Sequence, residues 1–158
     1  MVVLRLAAER LTLMQQTTTV AIVGMSSNSA RASHFVATYL AGKTEWTVWY
    51  VNPRESEIMG QPVYPSLSQL PAPPDLVDVF RRVDELPTVV DEAVDVGASA
   101  VWFQLGLEHD AAATTASAAG LDVVQNRCLK IEHARFAGGL HCAGFVTGVL
   151  DSRRTRLI

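Results

Sequence analysis

Residues 18–24 read TTVAIVG, a β-branched apolar run that stops at a glycine. The stretch that follows, from Arg31 to Ala41, sets Phe35, Val36, Tyr39 and Leu40 at helical spacing before Gly42. Strand, loop and helix follow in that order. Outward from this unit the same alternation repeats. Residues 47–51, TVWYV, form a second strand stopped by Asn52-Pro53, and the connection to Pro74 is rich in Pro, Ser and Glu, with one short apolar piece at Val63-Tyr64. It reads as a connection with little regular structure of its own. Residues 75–80, DLVDVF, give a third strand. A helix with Pro87 near its start then carries Val89, Val90, Ala93 and Val94 on one side and ends at Gly97. Residues 99–104, SAVWFQ, are a fourth strand, the Ala- and Thr-rich stretch 108–119 is a helix ending at Gly120, and residues 121–124 are a fifth strand. Five apolar runs separated by helices predict an α/β fold. The expected form is a Rossmann-like, doubly wound, mainly parallel sheet of about five strands in three αβα layers.

The 158 residues suit one domain, read here as 18–136, with 1–17 an N-terminal helix or leader and 137–158 a C-terminal extension. Hydrophobic residues make up 49% and charged residues 18%, which excludes charge-driven disorder. A net charge of -3 argues against a nucleic-acid binder that relies on many phosphate contacts. Arg5, Glu9 and Arg10 interrupt the apolar leader, so neither a signal peptide nor a spanning helix is expected; no membrane role and a cytoplasmic location follow by default. Cys128 and Cys142 stand 14 apart without a second pair, which signals neither a zinc site nor a redox dithiol.

In an open α/β sheet, ligands bind beyond the carboxyl ends of the strands. Those ends read Gly24-Met25-Ser26-Ser27-Asn28, Asn52-Pro53-Arg54, Phe80-Arg81-Arg82, Gln104-Leu105-Gly106 and Gln125-Asn126-Arg127-Cys128. The first is not a GxGxxG fingerprint, because Ser26 and Ser29 hold the places of the second and third glycines. Its serines either cradle a phosphate at the helix start or merely cap the helix. Asn52 stands where a dinucleotide site usually ends its second strand with an acid. Arg54 beside it suits a ligand with an extra ribose phosphate, as in NADP or coenzyme A, although taken without the other loops the pair is better explained by a plain turn and a surface charge. Phe80 with Arg81 and Arg82 offers a stacking face and two guanidinium groups, or else a core residue followed by a helix start.

Taken in order, VAIVGMSSNSARASHFVATYL, VNPRESEIMGQPVYPSL, DLVDVFRR, GASAVWFQLGL and GLDVVQNRCLKIEH resemble the small stand-alone bacterial CoA-binding proteins, over about residues 18 to 136. These are similar to the CoA-binding domain of the succinyl-CoA synthetase alpha subunit. The resemblance implies a Rossmann-type fold that holds coenzyme A or an acyl-CoA. On this chain it implies that Gly24, Ser26 and Ser27 form the pyrophosphate loop, helped by Arg31 and Ser33. Val51, Asn52 and Pro53, with Arg54 beside them, would lie along the adenosine. Phe80 and Arg81 would sit near adenine and phosphate, and Gln104 and Gly106 would form the fourth-strand polar loop. The chain departs from the family at Asn126-Arg127-Cys128, where members commonly read DRC, which leaves a charge-dependent role at Asn126 in doubt.

No catalytic set and no metal site is nominated. The ligases that the chain resembles use a further phosphohistidine domain, and among His34, His109, His133 and His141 none pairs by spacing with a nucleophile. Lys130, Glu132 and His133 read as a polar helix face. Cys128 is either a small buried hydrophobe or a thiol able to form a mixed disulfide with CoA. The leading expectation is a non-catalytic module, carrier, sensor or partner subunit that binds CoA. The alternatives are an NADP-linked oxidoreductase and a ligand-free interaction domain. Gly144 and Gly148 permit close helix packing within the chain or in a homo-oligomer or protein partnership.

Overall fold

The computed structural model describes residues 3–137, so the expectations for Cys142, Gly144 and Gly148 fall outside the described residues. In chain order the elements are α1 (Ala7–Gln16), β1 (Thr19–Val23), α2 (Ala32–Lys43), β2 (Thr47–Val51), β3 (Glu57–Ile58), β4 (Gln61–Tyr64), β5 (Leu76–Val79), α3 (Leu86–Asp95), β6 (Ala100–Phe103), α4 (Asp110–Ala118), β7 (Asp122–Val124) and α5 (Leu129–Ala137). They build one seven-stranded sheet in the order β3-β4-β2-β1-β5-β6-β7, parallel throughout except where β3 meets β4. The Rossmann-like, three-layer α/β expectation holds.

Why the strands are apolar on both faces follows from what covers them. Val20, Ile22, Tyr50, Leu76, Trp102 and Val124 pack against α1, α2 and α5. The alternate residues Ala21, Val23, Val51, Val77, Val79, Val101, Phe103 and Val123 pack against α3 and α4. A parallel sheet sandwiched between two helical layers needs apolar side chains at both phases of the pleat.

Two sequence expectations are corrected, and one left open between alternatives is narrowed. The sheet has seven strands rather than about five, because the connection after Asn52 folds into the β3–β4 hairpin, whose β4 joins the parallel sheet beside β2. It holds on through two buried side chains, Ile58 and Val63. Its turn is Met59-Gly60, both at positive φ (51° and 76°), where Asn-Gly is the usual signal. Within residues 1–17, expected as a helix or a leader, α1 forms and packs on α5, and Leu4 N–H donates to the Val123 carbonyl at 2.6 Å. The supposed polar face of α5 is buried, with Glu132 and His133 2% and 1% exposed. Glu132 accepts from Arg10 Nε at 3.1 Å, and His133 Nδ1 pairs with the Tyr39 hydroxyl at 2.9 Å while Tyr39 and Trp46 pack edge-on against its ring.

Candidate functional site

The chain runs outward from β1 to β2 and β4 on one side, then returns to start β5 on the other, so the strand order reverses between β1 and β5. The tips there are close. Gly24 has φ +87°, and a Cβ added to it would stand 2.2 Å from the Phe80 carbonyl oxygen, so no residue larger than glycine fits at this crossing. Beside it opens a cleft of about 570 Å³, walled by the β1 loop, the start of α2, the tips of β5 and β6, and the first turn of α5.

The β1 loop is held in shape by its own polar groups. Ser26 N–H donates to the buried Ser33 hydroxyl (3.0 Å), Asn28 N–H to Ser26 Oγ (3.1 Å), and Ala30 N–H to Asn28 Oδ1 (2.9 Å). Helix α2 begins after Arg31 with no side-chain cap and no acid in its first turn. Arg31, Ala32 and Ser33 line the cleft, so the free N–H end of a helix and a guanidinium share its wall. That pairing attracts an anion.

The neighbouring tips are fixed just as firmly. Val51 offers its carbonyl to Gly24 and Met25 N–H (2.9 and 3.3 Å), and Asn52 Nδ2 donates to the Met25 carbonyl (2.8 Å) while Asn52 Oδ1 accepts from Arg54 N–H (2.8 Å). Asn52 therefore ties the first two loops together. Ser27 Oγ donates to Glu55 (2.8 Å), which draws that hydroxyl toward the β2 loop. Phe80 lines the cleft, and Arg81 runs past Gly24 to an ion pair with Glu85 at 3.5 Å, leaving its buried Nε without a partner among the described residues. Gln104 is buried in the wall and accepts from Leu129 N–H at 3.1 Å, capping α5. Asn126, at φ 54°, accepts from Gly106 N–H at 2.7 Å, a task in which an amide does as well as a carboxylate.

Of the residues singled out from sequence, the cleft brings together Gly24, Ser26, Arg31, Ser33, Phe80, Gln104 and Cys128. Val51, Asn52, Gly106 and Asn126 stand behind it as loop supports. Ser27, Pro53, Arg54 and Arg81 flank it. Cys128 lines the wall while also packing against the core.

Sequence reasoning missed Leu105, Leu107 and Ile131, which also line the cleft. Their signal was the QLGL motif and the turn of helix after Cys128. It also missed Asp78, which is completely buried on β5, with neither carboxylate oxygen bonded among the described residues. Asp78 lies on the same sheet face as Phe80, one pleat below it. Burial pushes its carboxyl well above the usual range, which disfavours its charged form. Among the described residues no cluster of His, Cys, Asp or Glu is arranged to hold a metal, and no helix is long and apolar enough to cross a membrane. The titratable side chains in the cleft wall are Arg31 and Cys128. The arrangement can receive an anion at α2, offer an aromatic face at Phe80 and pass a thin chain between Gln104 and Ile131.

A family model described as "CoA binding domain" matches residues 18–134. The chain is 32% identical over 127 residues to the Bacillus subtilis (strain 168) protein described as "Uncharacterized protein YneT", covering 80% of this chain and 93% of that one. Among solved structures it is similar to Prb, the PH1109 protein redesigned for binding, with a TM-score of 0.80, 31% identity, and coverage of 85% of this chain and 94% of that one. It is also similar to cell-free ID.343 from Thermus thermophilus, with a TM-score of 0.77, 32% identity, and coverage of 83% and 98%.

Proposed function

The chain belongs to the CoA binding domain family, and on that premise we propose that it binds coenzyme A or an acyl-CoA in the strand-tip cleft as a non-catalytic module: a carrier, a sensor or a partner subunit. The observation that carries the reading is the uncapped start of α2, which shares its cleft with Arg31 and Phe80. In this reading the diphosphate lies against the β1 loop and the first turn of α2, where Ser26, Ser33 and backbone N–H groups receive it. The adenosine side lies toward Phe80 and the second loop. Arg81 gives its guanidinium to a phosphate, which provides the unpartnered Nε with an acceptor. The pantetheine arm runs past Gln104 toward Cys128. The free thiol of Cys128 suits a reducing compartment, and the reading includes a cytoplasmic location.

Calorimetry and thermal shift against CoA, acetyl-CoA, dephospho-CoA, NAD and NADP test it. CoA and acetyl-CoA are expected to bind best, with stabilisation approaching about 2.7 kcal/mol at one hundred times the dissociation constant. Preference for NADP overturns the reading in favour of a nicotinamide enzyme. Arg81→Ala is expected to weaken CoA binding by about 1 to 3 kcal/mol, and unchanged affinity removes Arg81 from the site.

A further inference from the structure

The two ends of the cleft differ in chemistry. Arg31 and the serines occupy one end; Leu105, Leu107, Cys128 and Ile131 occupy the other. Leu105 is 63% exposed and Ile131 48% exposed, although each has a large aliphatic side chain. They come from different elements, the loop after β6 and the first turn of α5, yet they border one cavity. Nothing in the fold requires either side chain to face water, and a pair of exposed aliphatic groups on one cavity rim marks a surface that an apolar ligand group covers.

The cation that precedes Cys128 is directed elsewhere. Arg127 precedes Cys128 in sequence, but its side chain lines a separate cavity beside Arg10 and Glu108, with Nε 4.0 Å from Glu132. Among the described residues, the cation in the cleft wall is Arg31, on the loop and α2 side. An acyl group ending in a carboxylate would lose hydration at the aliphatic end without gaining a partner there.

We propose that this end of the cleft receives the acyl chain of a CoA thioester, and that the preferred ligand is an uncharged, aliphatic acyl-CoA rather than free CoA. The inference rests on the CoA reading above and names the ligand class for the same site. Full burial of one methylene is worth about fourfold in affinity. A chain of four to six carbons that is only partly covered by Leu105 and Ile131 is expected to gain about tenfold over CoA.

Calorimetry on the full chain with CoA, butyryl-CoA, hexanoyl-CoA and succinyl-CoA decides it, repeated with the Leu105→Ser/Ile131→Ser double variant. Both substitutions are at exposed side chains, so the fold tolerates them. The expected result is that the two aliphatic thioesters bind about tenfold tighter than CoA. Succinyl-CoA should bind no tighter than CoA, and the hexanoyl-CoA to CoA affinity ratio should fall to about one in the double variant. Two results overturn the proposal while leaving the CoA reading in place: hexanoyl-CoA binding no tighter than CoA, or a gain that persists in the double variant. Absence of binding to all four overturns the CoA reading itself, and this inference with it.

Discussion

Two carboxylates lie inside this protein, in regions that treat charge in opposite ways. Glu132, in the seam between α1 and α5, has Arg10 at 3.1 Å, Arg135 at 3.5 Å and Arg127 at 4.0 Å. Asp78, at the centre of the sheet, stands in register between Ile22 and Trp102 with no partner among the described residues. The seam surrounds its acid with three guanidinium groups and uses it to fix a helix 122 residues away in the chain. The sheet centre gives its acid no partner among the described residues, and burial pushes its pKa well above the usual range. The difference teaches that a buried acid with guanidinium partners organises tertiary contact here, whereas one without a partner is left to burial, which disfavours its charged form.

Arg10→Met tests the comparison most severely. Removing the closest partner of Glu132 is expected to cost about 3 to 5 kcal/mol in urea denaturation, and Arg10→Met/Glu132→Leu to restore most of it. A loss below about 1 kcal/mol in the single variant would mean that Arg127 and Arg135 suffice.

A second test sets pH against the seam. Burial lowers the pKa of His133 to about 4 and raises that of Tyr39 to about 12, so the pair is neutral at ordinary pH. A base with a depressed folded pKa contributes stability above its unfolded value near 6.5, lost as the pH falls toward 4. The expected loss over that window is about 3 kcal/mol, followed as melting temperature against pH, and His133→Phe should flatten it. An unchanged profile in the variant would assign acid sensitivity to another group.

Asp78 predicts the reverse sign. Its raised folded pKa makes its contribution largest below the ordinary aspartate value and progressively lost as the pH rises through the folded one. Asp78→Val, which suits a strand packed on both faces, should therefore stabilise by about 1 to 2 kcal/mol at pH 8 and by less at pH 5. Destabilisation by the variant at pH 8 would show that the carboxyl has a partner in solution.

The parts of this picture that were legible in the sequence are those set by short-range pattern. TTVAIVG, TVWYV and SAVWFQ announce buried parallel strands because each is apolar at both phases of the pleat. The cleft residues Gly24, Ser26, Phe80 and Gln104 could be found because chain order places them in the loops at strand tips, while Arg31 and Ser33, at the start of α2, came through the family resemblance. What the pattern hides depends on distant partners. Glu132 and His133 look solvated until Arg10, Tyr39 and Trp46 arrive from the other end of the chain. The β3–β4 hairpin turns on Met59-Gly60 without the usual Asn. Leu105 and Ile131 are ordinary aliphatic residues in sequence, and only their exposure sets them apart.

Both margins of the sheet are closed to newcomers. On one side the outermost strand, β3, is two residues long and begins with Glu57; on the other, the backbone of Val3 and Leu4 occupies β7 at Val123. A long, bare row of amide and carbonyl groups is what templates strand addition and fibril growth. Neither margin offers one among the described residues, so within them the sheet presents no long edge for another strand to extend.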